Sequence, residues 1–143
     1  MFLKSANAGN HNVQYDLGDC YLLGIGTNKD EEKTFEWYLK SAEAGNNYAQ
    51  YNIGHCYQFG IGTNKDEKKA FKWYLKSAIN DNASGQNNVG YCYKYGIGTN
   101  KNEEKAFEWY LKSAEANSYA QCNLGECYEF GIGTNISERK AFK

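Results

Sequence analysis

The chain has 143 residues, 16 basic and 17 acidic side chains, a net charge of −1, and 13 Tyr, 7 Phe and 3 Trp but no Pro. This is the length of one domain, and the balanced charge gives no reason to expect nucleic acid or an anionic membrane as a partner. No run of 18 apolar residues marks a membrane span, and residues 1–10 lack the apolar core of a signal peptide. We therefore expect a soluble, unprocessed chain.

The sequence repeats with a period of 36 residues. The segment at 35–42 returns at 71–78 and again at 107–114. A loop of sequence Gly-Ile-Gly-Thr-Asn recurs at 24–28, 60–64, 96–100 and 131–135. Such a period is typical of solenoids. We predict one helical-repeat domain over 1–143, with a helix stub at 1–9 and repeat units at about 10–45, 46–81, 82–116 and 117–143.

The first half of each unit predicts a helix, which we call helix A. Its apolar positions follow the helical spacing i, i+1, i+4, as in Leu17, Gly18 and Tyr21. A Gly that can adopt the left-handed conformation should end each copy, at Gly24, Gly60, Gly96 and Gly131. A second Gly lies inside each copy, where we expect it to let two helix backbones approach closely: Gly18, Gly54, Gly90 and Gly125.

The second half of each unit predicts helix B. It follows a column of residues whose side chains cap helix N-termini, namely Asp30, Asp66, Asn102 and Ser137. Helix B is apolar on more than one face, because Trp73 lies beside the stripe that contains Tyr74 and Ala78. Such a helix should be covered on both sides, by its own helix A and by the next unit.

These motifs together carry a family resemblance. The pattern Leu-Gly-x-x-Tyr-x-x-Gly-x-Gly, then Asp, then Ala-x-x-Trp-Tyr-x-x-Ser-Ala, resembles the Sel-one-like repeat (SLR) family, a branch of the tetratricopeptide-like superfamily. The resemblance covers nearly the whole chain. It implies an all-α fold, a right-handed αα-solenoid of roughly four helix-loop-helix repeats. It also implies an adaptor or scaffold, a class of protein that often stands beside a catalytic domain.

Four of the five cysteines occupy one position per repeat, at Cys20, Cys56, Cys92 and Cys127. The cysteine-rich bacterial relatives that the chain resembles carry two per repeat, paired in a disulfide. No C-x-x-C motif is present and only two histidines occur, His11 and His55, so we expect no metal and no cofactor. We predict buried, reduced thiols and a cytoplasmic location.

Several motifs could be interpreted as binding or catalytic sites, but a structural interpretation is favoured for each. The Gly24-x-Gly26 loop follows a helix rather than a strand, which favours helix capping over phosphate binding. Acidic residues flank the lysine column, so a neutralised surface is favoured over an anion site at Lys33, Lys69, Lys105 and Lys140. His55 and Cys56 are consecutive on a helix and point about 100° apart, which argues against a nucleophile–base pair. We predict no catalytic residue.

A column of glutamines lies at Gln14, Gln50, Gln86 and Gln121. Two interpretations are open, a contact with the backbone of a bound peptide and a hydrogen bond between repeats. The second is favoured, because buried amides need partners and adjacent units supply them.

Four columns of helix A change chemical class from copy to copy. Their spacings of 3, 4 and 3 place them on one stripe of the helix. By resemblance to tetratricopeptide folds, this stripe lines a concave groove that binds a peptide or a partner domain, with Tyr51 or Tyr91 as the main anchor. The alternative is drift at unconstrained exposed positions. The stripe comprises Asn12, Tyr15, Asp19, Leu22, Tyr48, Tyr51, His55, Gln58, Ser84, Asn87, Tyr91, Lys94, Tyr119, Cys122, Glu126 and Glu129.

Three functions are compatible with these features. We favour a non-catalytic protein-interaction module. A passive spacer that positions a neighbouring domain is the main alternative, and a hydrolase like that proposed for the cysteine-rich relatives is a third. The chain begins and ends within helix B patterns, so we also expect either a longer protein or copies that associate end to end.

Overall fold

A computed structural model describes residues 2–114 of the chain, with side chains from residue 5 onward. This part is all α-helical. Its helices are α1 (Phe2–Asn7), α2 (His11–Leu23), α3 (Glu31–Glu43), α4 (Asn47–Phe59), α5 (Glu67–Ile79), α6 (Ala83–Tyr95) and α7 (Glu103–Ser113). Helices α2, α4 and α6 are the predicted helices A, and α3, α5 and α7 are the predicted helices B. The fourth predicted repeat, including Gly131, Ser137, Gln121 and Lys140, lies outside the described residues.

The chain forms two compact units, Met1–Trp73 and Tyr74–Lys143, with the boundary inside α5. In the first unit α3 packs against both α2 and α4, as we expected of a helix that is apolar on more than one face. Tyr38 of α3 is buried with Ala49, Ile53 and Cys56 of α4. In the second unit α6 packs against α7, whose Tyr110 is fully buried.

The predicted caps of helix B are confirmed in the described repeats. The side chains of Asp30, Asp66 and Asn102 each accept the backbone N–H three residues further on, at 3.0 Å. Each bond satisfies one of the donors that the first turn of a helix leaves free. A second column, not singled out from the sequence, caps the helices A in the same way through Asn10, Asn46 and Asn82.

The Gly-Ile-Gly loops end the helices A as predicted. Gly24, Gly60 and Gly96 lie in the left-handed region, with φ of 71°, 70° and 68°. Gly62 has φ of 69°, and a Cβ on it would lie 2.1 Å from the carbonyl oxygen of Glu31. The loop after α4 therefore lies directly against the first residue of α3.

The glycine inside helix A has a different role from the one expected. The sequence predicts close approach of two helix backbones, whereas the structure places a tyrosine ring over the glycine. A Cβ on Gly18 would lie 2.5 Å from Cδ1 of Tyr38, and one on Gly90 would lie 2.7 Å from Cδ1 of Tyr110. The glycine makes room for the largest fully buried side chain of helix B.

The glutamine column forms hydrogen bonds between repeats, as favoured from the sequence. Gln14 Nε2 donates to the carbonyl of Ala6 at 2.8 Å, and Gln50 Nε2 donates to that of Ala42 at 3.2 Å. Gln86 makes the same bond to the residue eight positions earlier, at 3.2 Å. Each amide is a second donor to a carbonyl near the end of the preceding helix, which also accepts the backbone N–H three residues further on.

The lysine column contacts aromatic rings. The Nζ atoms of Lys33, Lys69 and Lys105 lie 5.3, 5.5 and 5.5 Å from the centroid of the tyrosine twelve residues earlier. These are cation–π distances, and such contacts contribute about 0.5–1 kcal/mol each at exposed sites. The column thus joins the first turn of helix B to the end of helix A.

The cysteines follow the prediction with one correction. Cys56, Cys92 and Cys20 form no disulfide, and Cys56 and Cys92 are buried whereas Cys20 is only partly buried. The difference has a structural reason. Cys56 packs against the thirteen-residue α3, whereas α1, which packs on α2, has only six residues and leaves the C-terminal half of α2 less covered. Cys122 and Cys127 lie outside the described residues.

We expect Cys20 to react with a thiol reagent much faster than Cys56 in the native protein. Burial raises the pKa of the Cys56 thiol to about 12, so roughly one molecule in 10⁴ carries the thiolate at pH 8. Mass spectrometry of the labelled peptides over time measures both rates, and the urea-unfolded chain provides the control. Equal native rates at the two sites would contradict the burial of Cys56.

Candidate functional site

The stripe predicted from helix A occupies α2, α4 and α6 in the described repeats. Tyr119, Cys122, Glu126 and Glu129 lie outside the described residues. Most of the remaining stripe residues are exposed or half-buried, and the exception is Asn87, which is only 8 % exposed. In the second unit Tyr91 is 40 % exposed and lies 4.6 Å from the ring of Tyr95, over which Lys94 places its Nζ at 5.2 Å.

In the first unit, aromatic contacts join the stripe residues of α2 and α4. Tyr48, which is 61 % exposed, lies 6.1 Å from Tyr15 between ring centroids. Tyr15 stacks in turn on the buried Tyr38 at 5.6 Å. Tyr48 therefore presents most of its ring to solvent on a support of two packed aromatic rings.

A second aromatic row runs along α4. His55 lies edge-on to Tyr51 at 4.6 Å and stacked with Phe59 at 5.7 Å. Burial lowers the pKa of His55 and raises the pKa of Tyr51, so both side chains are neutral at pH 7. His55 thus belongs to an uncharged aromatic row at neutral pH. Tyr48, rather than Tyr51, is the most exposed tyrosine of the stripe in this unit.

A cavity of about 280 Å³ lies between α2 and α4 in the first unit, with α3 at its base. The structure brings three stripe residues together here, Asp19, Leu22 and His55. The other lining residues were not predicted. Each occupies a repeat position that lies outside helix A or that holds residues of similar chemistry in the different repeats. The complete lining is Asp19, Leu22, Thr34, Tyr38, Asn52, His55, Cys56 and Ile61.

Hydrogen bonds hold the polar groups of this cavity. The Tyr38 hydroxyl donates to Oδ1 of Asp19, and burial together with this bond raises the pKa of Tyr38. The hydroxyl therefore stays protonated and remains a donor across the physiological range. Asn52 lies near enough to Tyr15 to affect the pKa of its hydroxyl, which places the cavity beside the aromatic pair formed by Tyr15 and Tyr48.

Sequence reasoning also missed a column of exposed apolar residues. Leu23, Phe59 and Tyr95 are the last residues of α2, α4 and α6, and each is between 54 % and 60 % exposed. The available signal was an apolar residue before every capping Gly, outside the i, i+1, i+4 pattern. Phe59 extends the α4 aromatic row toward the loop.

Within residues 2–114, no three His, Cys, Asp or Glu side chains are grouped so as to hold a metal ion. None of the described helices is long and apolar enough to cross a membrane. Burial raises the pKa of the Cys56 thiol next to His55, which disfavours its thiolate form.

Helix pairs with a period of 36 residues, repeated caps and a glycine-tyrosine contact define an αα-repeat protein. The family model described as Sel1 repeat matches residues 11–46, 47–82, 83–118 and 118–143. The chain therefore belongs to the Sel1 repeat family, and the all-α solenoid class expected from the sequence is confirmed. Proteins of this family are generally protein-interaction modules built on a typically non-catalytic scaffold.

Solved structures are similar to this chain over most of its length. A Sel1 repeat protein from Oxalobacter formigenes is 37 % identical, with a TM-score of 0.84 over 90 % of this chain and 53 % of that one. Another is c5321, a protective antigen of uropathogenic Escherichia coli strains with an SLR fold. It is 34 % identical, with a TM-score of 0.89 over 93 % of this chain and 29 % of that one.

The chain thus spans about half of the first protein and under a third of the second. Cysteine rich protein B of Helicobacter pylori shares the fold, with 23 % identity and a TM-score of 0.67 over 86 % of this chain and 93 % of that one. A comparison with curated protein sequences finds no match.

Proposed function

We propose that this chain is an adaptor or scaffold that binds a peptide segment or a partner domain on the helix A stripe. The supporting observation is Tyr48, whose ring is 61 % exposed while Tyr15 and Tyr38 pack behind it. Tyrosines held in this way are enriched at binding surfaces, because they bury much area at small entropic cost.

Variation within the chain also supports the stripe. The column of Tyr48 contains Asn12, Ser84 and Tyr119 in the other copies, so the repeat fold does not require an aromatic residue there. An exposed Tyr that packing does not demand is best explained by a partner. Cys56 and Cys92 are buried thiols that form no disulfide, which favours a reducing compartment, so we propose a cytoplasmic location.

Selection from a displayed library of random 12-residue peptides tests this proposal. We expect Tyr48→Ala to weaken binding of selected peptides about tenfold or more, as loss of an aromatic anchor does, while stability changes by no more than about 0.5 kcal/mol. Ile79→Ala, which also removes a large exposed apolar side chain but from helix B, is the matched control and should change affinity less than about twofold.

Two results would contradict the proposal. If the selected peptides bind Tyr48→Ala as well as wild type, the stripe is not their site. If no peptide is selected, a passive spacer becomes the better explanation. Sedimentation of the same samples also measures whether copies associate end to end.

A further inference from the structure

The cavity between α2 and α4 combines apolar walls with a single acidic group. Leu22, Ile61 and the ring of Tyr38 contribute apolar surface, and the Cys56 thiol is uncharged. Asp19 is the only carboxylate in the lining, which contains no Lys or Arg. Because burial keeps His55 neutral at pH 7, Asp19 alone carries a charge there.

The carboxylate of Asp19 is oriented but only half-buried. Its Oδ1 accepts the Tyr38 hydroxyl, which fixes the side chain against the base of the cavity. Asp16, one turn earlier on α2, is exposed and also acts electrostatically on Tyr15. Asp16 does not line the cavity, and the stripe residues of the first unit include no Lys or Arg.

The repeat fold does not require an acidic residue at the position of Asp19. The positions equivalent to Asp19 are His55, Tyr91 and Glu126, whereas the tyrosine that donates to Asp19 recurs as Tyr74 and Tyr110. The repeat fold therefore accepts other side chains at this position. Among the described repeats, an acid occurs at this position only in the first.

We propose that this cavity binds a basic side chain, Lys or Arg, from the partner segment. The aliphatic stem packs on Leu22 and Ile61, and the cationic end pairs with Asp19. The volume is below the roughly 300–1,000 Å³ of pockets that hold drug-sized ligands and suits a single side chain. The inference rests on the proposed function, because it names what the stripe recognises.

Charge complementarity decides between the possible occupants. A purely apolar side chain would remove water from the Asp19 carboxylate and leave it without a new partner, at a cost in affinity. An acidic side chain would be repelled by Asp19. A basic side chain replaces the lost water with a charge-assisted hydrogen bond while its stem still buries apolar surface.

Capped amino acids provide a direct test by ¹⁵N–¹H NMR titration. N-acetyl-arginine and N-acetyl-lysine methylamides should shift the amides of Asp19, Asn52 and His55, with dissociation constants on the order of 1–10 mM for ligands of this size. The neutral analogues with citrulline and norleucine should bind about tenfold more weakly, because they lack the charge.

A pair of variants separates the cavity from the general acidity of α2. Asp19→Asn should weaken binding of the basic probes about tenfold and abolish their preference over the neutral analogues. It keeps an acceptor for Tyr38, and thermal melting checks that it folds. Asp16→Asn removes the same charge outside the cavity and should change affinity less than about twofold.

Three outcomes would overturn the inference. One is the absence of a shift at these amides when the probe concentration is 50 times the expected dissociation constant. Another is that the neutral probes bind as tightly as the basic ones. The third is equal loss of affinity in Asp19→Asn and Asp16→Asn. None of these refutes the proposed function, since peptides that depend on Tyr48 can still bind elsewhere on the stripe. Conversely, if no peptide is selected but the basic probes bind in the titration, the proposed peptide-binding function is refuted and binding of a basic side chain in the cavity stands.

Discussion

Gly62→Ala should lower the free energy of unfolding by about 3 kcal/mol or more. A left-handed Ala costs roughly 1–2 kcal/mol, and the added Cβ would also lie 2.1 Å from the Glu31 carbonyl oxygen. Two backbone segments meet at this point, so a rotamer change cannot relieve the overlap, and overpacking typically adds about 1–3 kcal/mol. Urea unfolding followed by circular dichroism measures the difference.

Gly26→Ala is the matched control for this prediction. Gly26 occupies the same place in the first Gly-Ile-Gly loop, with φ of 72° against 69° for Gly62, but a Cβ there has no atom within 4 Å. It should therefore cost only the roughly 1–2 kcal/mol of the backbone conformation. Equal losses for the two variants would show that contact with α3 contributes nothing to the requirement for Gly62.

Gly18→Ala should destabilise the protein by about 1–3 kcal/mol, although Ala is the better helix former. Its Cβ would lie 2.5 Å from the Tyr38 ring, which is buried and cannot move without disturbing its packing on Tyr15 and the α4 core. The intrinsic helix preference for Ala, about 1 kcal/mol, offsets only part of this cost.

A double-mutant cycle with Tyr38→Ala tests the cause. Removing the ring alone should cost about 3–5 kcal/mol, as large-to-small core substitutions do. In that background Gly18→Ala should change sign and stabilise by up to about 1 kcal/mol, since the space is then free. If Gly18→Ala remains equally destabilising without the ring, a contact other than Tyr38 limits this position.

Local sequence chemistry was enough to predict the regular part of the fold. Asp30 and Asn102 cap their helices because a side-chain oxygen three residues before a free N–H satisfies it whatever surrounds the helix. Gly24 ends α2 because the left-handed conformation excludes most other residues. The inter-repeat bond of Gln50 followed from the need of a buried amide for a partner in a regular stack.

The candidate site was predicted less completely. Variation between copies located Tyr48, Asp19 and His55 on one helix stripe, but exposure could not be predicted from the column to which a residue belongs. Asn87 belongs to a stripe column and is nonetheless 8 % exposed. The apolar residue before each capping Gly, such as Phe59, was overlooked because the helical pattern alone does not tell a core position from an exposed one.

The sequence by itself determined the period, the helix pairs, the N-caps of helix B and the family to which the chain belongs, since all of these depend on residue type at short separations. Only the tertiary structure decided that the Tyr38 ring lies over Gly18 and that its hydroxyl reaches Asp19. It likewise placed Ile61 and His55 around one cavity. These contacts join residues on different elements, and the packing of whole helices against one another, rather than any local preference, sets the distances between them.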